Sequence, residues 1–433
     1  MSHSTAVPQE SAILMGLAST GIAAWEAEES LDELARLADT ATLKVLERVL
    51  QVRRRIDATY YIGKGKAQEL RDLAQATGAD MIVFDNDLSP AQMRNLEKLT
   101  EVRILDRSAL ILDIFARHAR TRTAQVQVEL AQLSYLLPRL THQWSHLSRQ
   151  AGGGAIRGMG AVGVRGPGET KLELDRRLIR GRIGALQREL DRNSGQMATG
   201  RKGRTELFRV ALVGYTNAGK STLMRALSGA DVLIEDRLFA TLDSTTRSVD
   251  LDGRHQILLT DTVGFIKRLP HHLFASFRAT LEETVEADLL LHVVDLSHAH
   301  YNHQMETVQS VLRDLGVQDK PTLVVLNKID RVGEGDEVGV HVAAAARLPD
   351  RVAVSALTGA GLEVLREKIL YHGQEHEVVL DLRIPQAEGR LLSQLHQQGE
   401  ILEQSYDPQD VCLRVRLGRA WAERWQLARF ARN

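Results

Sequence analysis

The chain has 433 residues, of which 43% are hydrophobic and 26% charged, and its formal net charge is −1. This length exceeds what one hydrophobic core usually serves, so two to four domains are expected, and the composition excludes a largely disordered chain. The single cysteine, Cys412, excludes an intramolecular disulfide, and the N-terminal residues lack the layout of a secretory signal. No run of about 18 apolar residues occurs. We therefore expect a cytoplasmic protein without a membrane span.

The first quarter of the chain alternates apolar, strand-like runs with patterns of helical spacing. In chain order, these patterns lie at 44–52, 66–77, 81–84, 90–99 and 102–105. Such alternation is typical of an α/β domain, which we predict for residues 1–110.

Two helical patterns follow. From Ser108 to about Arg149 no glycine occurs, and apolar residues recur at steps of three and four, which predicts one long helical stretch with a kink at Pro138. A second helical pattern begins near Glu169. Together they predict an antiparallel helical hairpin over residues 111–200.

Between the two helical patterns lies the segment AGGGAIRGMGAVGVRGPG, residues 151–168, with eight glycines, two arginines and no acid. Its composition is equally compatible with a flexible linker and with a functional probe held at the tip of the hairpin. The surrounding stretch from Arg117 to Arg182 carries twelve Lys or Arg residues against four acids. This region is distinctly basic although the whole chain is not.

A polar, glycine-bearing junction at 194–205 separates the hairpin from the second half of the chain. Strands and helices then alternate regularly, which predicts an α/β domain at 206–372. A pattern of strand, helix, strand and helix follows at 373–433 and predicts a small α+β domain.

The start of the 206–372 domain carries a phosphate-binding P-loop. The apolar strand FRVALV, 208–213, leads into GYTNAGKS and then into a helical pattern, which is the context that the motif requires. Backbone N–H groups and the helix N-terminus favour phosphate, Lys220 reaches the outer phosphates, and Ser221 ligates Mg²⁺. The predicted contacts are Gly214, Tyr215, Thr216, Asn217, Ala218, Gly219, Lys220, Ser221 and Thr222.

Guanine specificity is predicted by the sequence NKID, which follows the strand TLVVL. The carboxylate of Asp330 can accept two hydrogen bonds from the guanine ring N–H and exocyclic amine, a donor pair that adenine lacks. Ser355 and Ala356 follow another strand, RVAVS, where a loop contacting the base is needed. The predicted guanine contacts are Asn327, Lys328, Ile329, Asp330, Ser355 and Ala356.

Two further segments predict groups that respond to the γ-phosphate. In ILLTDTVGF, Asp261 can hold Mg²⁺ through water and the Gly264 N–H can bond the γ-phosphate. In FATLDSTT, Thr241 is predicted to complete the metal shell, with Thr245 as the alternative. The predicted catalytic residues are Lys220, Thr241 and Gly264, and the metal ligands are Ser221 and Thr241. The remaining predicted contacts are Phe239, Ala240, Leu242, Asp243, Thr262 and Val263.

Position 265 departs from the pattern of Ras. In Ras, the glutamine that positions the attacking water directly follows the switch glycine. In this chain the corresponding residue is Phe265, whose side chain can neither donate nor accept a hydrogen bond. We therefore expect slow hydrolysis unless another group or a partner arranges the water.

Together, these motifs resemble those of the HflX family of translational GTPases, over nearly the whole chain. The resemblance also rests on YYIGKGKA at 60–67, LILDIFARHART at 110–121, QVELAQL at 127–133 and RGPGETKLELDRR at 165–177. It implies an N-terminal α/β subdomain, a long helical hairpin, a Ras-like GTPase domain and a small C-terminal domain. The glycine-rich loop is longer here than the GGIGxRGPG run that is frequent in the family.

The resemblance also implies a function. Members of the family bind the large ribosomal subunit and, in the GTP state, split stalled or stress-arrested ribosomes, with the hairpin tip reaching into the peptidyl-transferase region. On that basis Arg157, Arg165 and Lys171 are candidate contacts to ribosomal RNA, because cationic side chains neutralise phosphates. GTP is expected as substrate and switch ligand, Mg²⁺ as cofactor, and the chain as a monomer.

Two alternatives remain open. An Obg-like or Era-like GTPase of large-subunit assembly shares nearly every nucleotide motif and differs in its appended domains. A metabolic P-loop kinase is disfavoured by NKID and by the lack of a recognisable acceptor-substrate site. Binding to mature and to immature large subunits would distinguish the first alternative from ribosome splitting.

Overall fold

A computed structural model of the chain describes residues 9–19, 24–140, 171–201, 207–229, 238–239, 244–253, 255–267, 283–332, 348–374 and 377–431. The chain divides into two compact units. Unit 1 comprises residues 1–194 with 235–243 and 266–280, and unit 2 comprises 195–234, 244–265 and 281–433. The predicted multidomain α/β architecture is confirmed.

Unit 1 begins with a four-stranded sheet. Its strands are β1 (Ser11–Ser19), β2 (Lys44–Arg53), β3 (Met81–Phe84) and β4 (Arg103–Asp106). The connecting helices are α1 (Ala24–Thr40), α2 (Lys64–Thr77) and α3 (Pro90–Thr100). The strand order is β2-β1-β3-β4, and every neighbouring pair is parallel. Parallel strands are covered on both faces, which is why β3 is apolar and buried throughout.

The start of α3 shows how local sequence sets an element boundary. Ser89 accepts a hydrogen bond from the Gln92 backbone, and the Gln92 side chain accepts one from the Ser89 backbone, so the two residues form a capping box. Pro90 occupies the first turn, where its missing N–H costs nothing.

The prediction of one long helical stretch from Ser108 is wrong in one respect, because the helix is interrupted after His118. Helix α4 is Arg107–His118 and helix α5 is Arg122–Leu136. The Thr121 side chain accepts a hydrogen bond from the Ala124 N–H and so begins a new helix. Pro138 lies in a short 3₁₀ turn, Leu137–Arg139, that follows α5.

Helix α5 packs against a 31-residue helix α6, Lys171–Arg201. Val126 and Leu130 of α5 contact Leu186 of α6 in a small buried cluster. Arg122 bonds Glu189 through two hydrogen bonds, and Arg182 bonds Glu129 in the same way. Since the partner number falls as the α5 number rises, the helices are antiparallel. The glycine-rich segment 151–168 lies outside the described residues.

Two consecutive charged residues at the end of β4 connect the sheet to its helices. Asp106 caps α4 and accepts hydrogen bonds from the hydroxyl of Tyr135 in α5, at 2.8 Å, and from Arg139 in the 3₁₀ turn that follows α5, at 3.2 Å. Burial raises the pKa of the Asp106 carboxyl above its usual range, and these donors oppose the shift. Arg107, only 1% exposed, points elsewhere and pairs with Glu33 of α1 and with Asp85.

Unit 2 contains a six-stranded sheet in the order β10-β9-β8-β5-β7-β6. Its strands are β5 (Phe208–Gly214), β6 (Thr245–Asp250), β7 (Gln256–Asp261), β8 (Leu289–Asp295), β9 (Thr322–Asn327) and β10 (Arg351–Ala353). The helices are α7 (Lys220–Ser228), α8 (Tyr301–Asp314) and α9 (Leu362–Gln374). Only β6 runs antiparallel to its neighbour. The chain order reverses at β5, and such a reversal is where open α/β sheets bind ligands.

The last part of unit 2 is a three-stranded antiparallel sheet with two helices. The strands are β11 (Glu377–Pro385), β12 (Glu400–Tyr406) and β13 (Asp410–Gly418), and the helices are α10 (Gly389–Gln398) and α11 (Arg419–Arg424). Alternate residues of β13 are buried against the helices, as expected for a sheet with one covered face. Trp421 and Trp425 pack there, with ring centroids 4.6 Å apart.

The buried Arg107 generates a stability prediction. Arg107→Ala leaves two buried carboxylates without their cation, so we expect it to lower the free energy of unfolding by roughly 3–5 kcal/mol. Arg48→Ala is the matched control, because Arg48 and Asp32 form an ion pair of 2.6 Å with side chains 49% and 65% exposed. That change should cost less than about 1 kcal/mol. Urea unfolding of the full chain measures both, and equal losses would contradict the assigned role of Arg107.

Candidate functional site

The P-loop after β5 requires glycine at two positions because other backbone and side-chain atoms approach it closely. At Gly214, with φ +154°, an added Cβ would lie 2.3 Å from the Val293 carbonyl oxygen. At Gly219, with φ +94°, it would lie 2.3 Å from the Asn327 Nδ2. Asn217 also adopts a positive φ, of 59°. The loop therefore turns sharply into α7, whose first backbone N–H groups suit a phosphate.

Lys220, the first residue of α7, points back over this loop. Its Nζ donates to the carbonyl oxygens of Gly214, at 3.2 Å, and Tyr215, at 2.9 Å. Burial lowers the pKa of Lys220 to about 8, and the negative charge of Asp261 opposes that shift. An anionic phosphate beside this ammonium would favour its charged form in the same way.

Ser221 and Asp261 form a direct contact. The Ser221 Oγ donates to the Asp261 Oδ2 at 2.6 Å, which joins the start of α7 to the end of β7. A hydroxyl oxygen and a carboxylate oxygen are hard ligands of the kind that Mg²⁺ accepts, and this cation usually takes few ligands from the protein and keeps several waters. The pair therefore fits the predicted metal position.

Gly264 lies against the P-loop. A Cβ added there would be 2.9 Å from Thr216 Cα and 3.1 Å from Lys220 Nζ, so a larger residue would displace the lysine. Among the other predicted residues of this segment, Val263 is 9% exposed and Thr262 donates to the Leu212 carbonyl oxygen at 2.6 Å. These contacts bring the end of β7 and the P-loop to one edge of the sheet.

Phe265 has a backbone role that sequence reasoning missed. Its N–H donates to the Gly214 carbonyl oxygen at 3.0 Å, and its carbonyl oxygen accepts from the Thr216 N–H at 2.8 Å. Its side chain is 2% exposed. Phe265 therefore joins the DTVGF segment to the P-loop through main-chain hydrogen bonds. Any residue except proline could make these bonds, so no signal in the sequence indicates them.

The predicted guanine-binding residues are assembled by Asn327 at the end of β9. Its Nδ2 donates to the Ala218 carbonyl oxygen at 2.9 Å, and its Oδ1 accepts from the Ala356 N–H at 3.0 Å. The Ser355 hydroxyl donates to the Asp330 carboxylate. Asn327 thus joins the P-loop to the loop after β10, and Asp330 is held at one carboxylate oxygen.

Asp295 is a further residue that sequence reasoning missed. It ends β8, and its Oδ2 accepts from the Lys328 Nζ at 2.7 Å, while the same Nζ donates to the Asn217 carbonyl oxygen at 2.8 Å. The Lys328 stem therefore crosses beside the P-loop, where an aliphatic chain can cover one face of a base. The available signal was an acid at the end of the apolar strand LLLHVVD.

Six of the predicted residues lie outside the part of the chain that the structure describes. Ala240, Thr241, Leu242 and Asp243 lie outside the described residues, and so do Arg157 and Arg165. Lys171 begins α6. Thr245, the alternative to Thr241, is the first residue of β6 and stands opposite Asp261 in the antiparallel register. The choice between these two threonines as metal ligand stays a prediction.

The geometry around Asp330 makes guanine specificity testable. In Asp330→Asn the amide presents a donor toward the guanine donors, so the affinity for GTP should fall roughly 10- to 100-fold. Xanthine nucleotides, which carry a carbonyl in place of the amine, should then compete better than GTP. Competition against a fluorescent nucleotide measures this preference, with Asp314→Asn at the end of α8 as the control. Unchanged selectivity would exclude Asp330 as the base contact.

Three family models match consecutive parts of the chain. Residues 28–116 match the GTP-binding GTPase N-terminal model, 118–204 match the GTP-binding GTPase middle region, and 209–328 match the 50S ribosome-binding GTPase model. No helix within the described residues is both long and apolar enough to cross a membrane.

Full-length relatives show the same similarity. The chain is 44% identical to the GTPase HflX of Escherichia coli strain K12 over 404 residues, which cover 90% of each chain. It is 46% identical to the GTPase HflX of Magnetococcus marinus over 376 residues, 86% of this chain and 84% of the relative. A GTP-binding protein from Sulfolobus solfataricus, solved with GDP, is 26% identical, covers 84% of this chain and 98% of its own, and has a TM-score of 0.42. The chain belongs to the HflX family of GTP-binding, GTP-hydrolysing proteins.

Proposed function

We propose that this GTPase binds the large ribosomal subunit in the cytoplasm and, in its GTP state, splits stalled or stress-arrested ribosomes, and that hydrolysis of GTP then releases it. The observation that carries the proposal is a basic helical hairpin in the same chain as a domain matching 50S ribosome-binding GTPases. The hairpin contributes no nucleotide contact in this interpretation. Its work is on the ribosome.

Surface charge on α6 supports contact with RNA. Arg177, Arg180 and Arg188 are exposed. They lie on the side of the helix away from Leu186, which packs on α5. Guanidinium groups there can neutralise phosphates of ribosomal RNA and release counterions. Arg157, Arg165 and Lys171 are proposed to extend this surface toward the tip of the hairpin.

The nucleotide site is proposed to work as a switch. Lys220 binds the outer phosphates of GTP, and Gly264 donates its N–H to the γ-phosphate. Ser221 and Thr241 would ligate Mg²⁺, with Asp261 acting through water, and the metal would neutralise charge that develops during transfer. Only GTP offers the γ-phosphate contacts, so its hydrolysis would free the loops that carry Thr241 and Gly264.

An Obg-like or Era-like assembly GTPase would use the same nucleotide chemistry. It would differ in the ribosomal particle that it binds, which would be an immature large subunit. The match to 50S ribosome-binding GTPases covers residues 209–328 only, and the same domain would serve either role. Preference for immature over mature large subunits in a binding assay would favour assembly. The metabolic kinase has no remaining support, because the chain belongs to a GTPase family.

Sedimentation tests the proposal directly. Whole ribosomes mixed with the protein and a non-hydrolysable GTP analogue should separate into subunits in sucrose gradients, and the protein should migrate with the large subunit. With GDP the ribosomes should stay intact, since the γ-phosphate contacts are missing. Ser221→Ala should behave like the GDP sample. Intact ribosomes under all conditions would refute the proposed splitting activity.

The hairpin tip gives a second prediction. Shortening residues 152–164 should abolish splitting while GTP binding and basal hydrolysis stay unchanged, because the loop supplies no nucleotide ligand. Replacing Arg157 and Arg165 with Ala should weaken ribosome binding and lower the salt slope by about one unit for each phosphate that is no longer neutralised. Arg48→Ala is the control for removal of one exposed arginine. If the shortened protein splits ribosomes at the wild-type rate, the loop is only a connector between the two helices.

The buried Phe265 gives a third prediction. Its side chain cannot orient the attacking water, so the free protein should hydrolyse GTP slowly. Large subunits should raise the rate by orders of magnitude, because supplied catalytic groups in related switches give roughly 10³- to 10⁵-fold. Phosphate release with and without subunits measures this, with Lys220→Ala as the inactive control. Equal rates would mean that the chain already arranges the water by itself.

A further inference from the structure

Thr216 in the P-loop carries a buried hydroxyl that has no hydrogen-bond partner among the described residues. The residue is 7% exposed, and its Oγ1 is shielded from solvent. Two other buried threonines of unit 2 differ. Thr262 donates to the Leu212 carbonyl oxygen at 2.6 Å, and Thr260 shares a hydrogen bond of 2.9 Å with Thr246. A buried hydroxyl without a partner is unfavourable, so its occurrence at a binding site points to a ligand.

The backbone N–H of Thr216 is already used within the protein. It donates to the Phe265 carbonyl oxygen at 2.8 Å. The amides that are expected to face phosphate lie further along the chain, at the start of α7. The polar hydrogen that Thr216 can offer to a ligand is therefore the one on its side chain.

The Thr216 side chain lies beside the two groups that are proposed to bind the γ-phosphate. A Cβ added at Gly264 would be 2.9 Å from the Thr216 Cγ2 and 3.1 Å from the Lys220 Nζ. The hydroxyl is attached to the same carbon as this methyl group, so it too lies close to Gly264. The main-chain hydrogen bond to Phe265 holds Thr216 in that place.

We infer that the Thr216 hydroxyl donates a hydrogen bond to an oxygen of the γ-phosphate, so that Thr216 is a specificity-determining residue for GTP over GDP. The inference rests on the position proposed above for the γ-phosphate, beside Gly264 and Lys220. Phosphate oxygens are acceptors, and a hydrogen bond to an ionised acceptor is stronger than one between neutral groups. GDP has no γ-phosphate and gains nothing from this contact.

Thr216→Val tests the contact, because valine has nearly the shape of threonine and lacks the hydroxyl. Titration of the full-length protein with fluorescent GDP and with a fluorescent, non-hydrolysable GTP analogue in Mg²⁺ gives the two affinities. Affinity for the analogue should fall roughly 10- to 100-fold, which is the usual effect of one hydrogen bond to a charged group, and affinity for GDP should stay unchanged. Thr216→Ser keeps the hydroxyl and should retain the wild-type ratio of affinities.

Thr284→Val is the matched control. Thr284 is 0% exposed, and its hydroxyl also has no partner among the described residues. It precedes β8 at the end of the sheet where Asp288 accepts a hydrogen bond from the Arg209 N–H, near the start of β5. The P-loop follows the other end of β5. Thr284→Val should therefore leave both nucleotide affinities unchanged.

Urea unfolding without nucleotide separates binding from folding. Because the Thr216 hydroxyl bonds nothing in the described protein, Thr216→Val should not lower the free energy of unfolding. Thr216→Ala repeats the titration if Thr216→Val fails to fold. The inference is overturned by a wild-type ratio of affinities in Thr216→Val, by equal losses for GDP and the analogue, by the same loss in Thr216→Ser, or by the same shift in Thr284→Val.

Failure of the proposed γ-phosphate position would be distinguishable. Gly264→Ala places a Cβ against Thr216 and Lys220, so it should weaken binding of the GTP analogue more than binding of GDP. If Gly264→Ala alone changes the ratio, the γ-phosphate lies where proposed and the Thr216 hydroxyl does not contact it. If neither variant changes the ratio, the proposed position is itself wrong. These titrations contain no ribosomes, so their result does not depend on ribosome splitting.

Discussion

The close approach of the P-loop backbone to the strands beside it is the constraint on which the nucleotide site depends. Gly214 passes the Val293 carbonyl and Gly219 passes Asn327 at distances that leave no room for a Cβ. Because of that approach, the Asn327 side chain can bond both the P-loop and the loop after β10. The predicted phosphate-binding and base-binding residues therefore share one set of contacts, and a shift of the loop would disturb both.

Unit 1 depends on a different arrangement, built from buried charge. Asp106 and Arg107 are adjacent, yet Asp106 bonds Tyr135 of α5 and Arg139 just after it, whereas Arg107 bonds Glu33 and Asp85. Pairing of this kind adds little net stability but is costly to break, so it fixes one geometry between the sheet and the base of the hairpin. A helical arm that acts on the ribosome, as proposed, needs such a fixed base.

The two segments that are proposed to respond to the γ-phosphate, FATLD and DTVGF, each lie where the chain changes from one unit to the other. Phe265 is bonded through its backbone to the P-loop, whereas Lys267, two residues later, has its ion-pair partner in α1. Phe239 likewise precedes β6 but packs on Phe115. Because Phe265 can neither donate nor accept a hydrogen bond through its side chain, the proposed GTP state is expected to persist until a partner completes the site.

The sequence by itself determined the elements that obey local rules: the parallel strands with their apolar runs, the P-loop between a strand and a helix, NKID after β9, and the capped start of α3. Local patterns did not reveal the break after His118, since helical spacing continues across it and only the Thr121 cap marks it. The tertiary structure alone decided the Phe265 backbone bonds, the Asp295 partner of Lys328 and the contact between Phe115 and Phe239. These depend on segments far apart in the chain, whose meeting is fixed by strand order and packing and not by the identity of neighbouring residues.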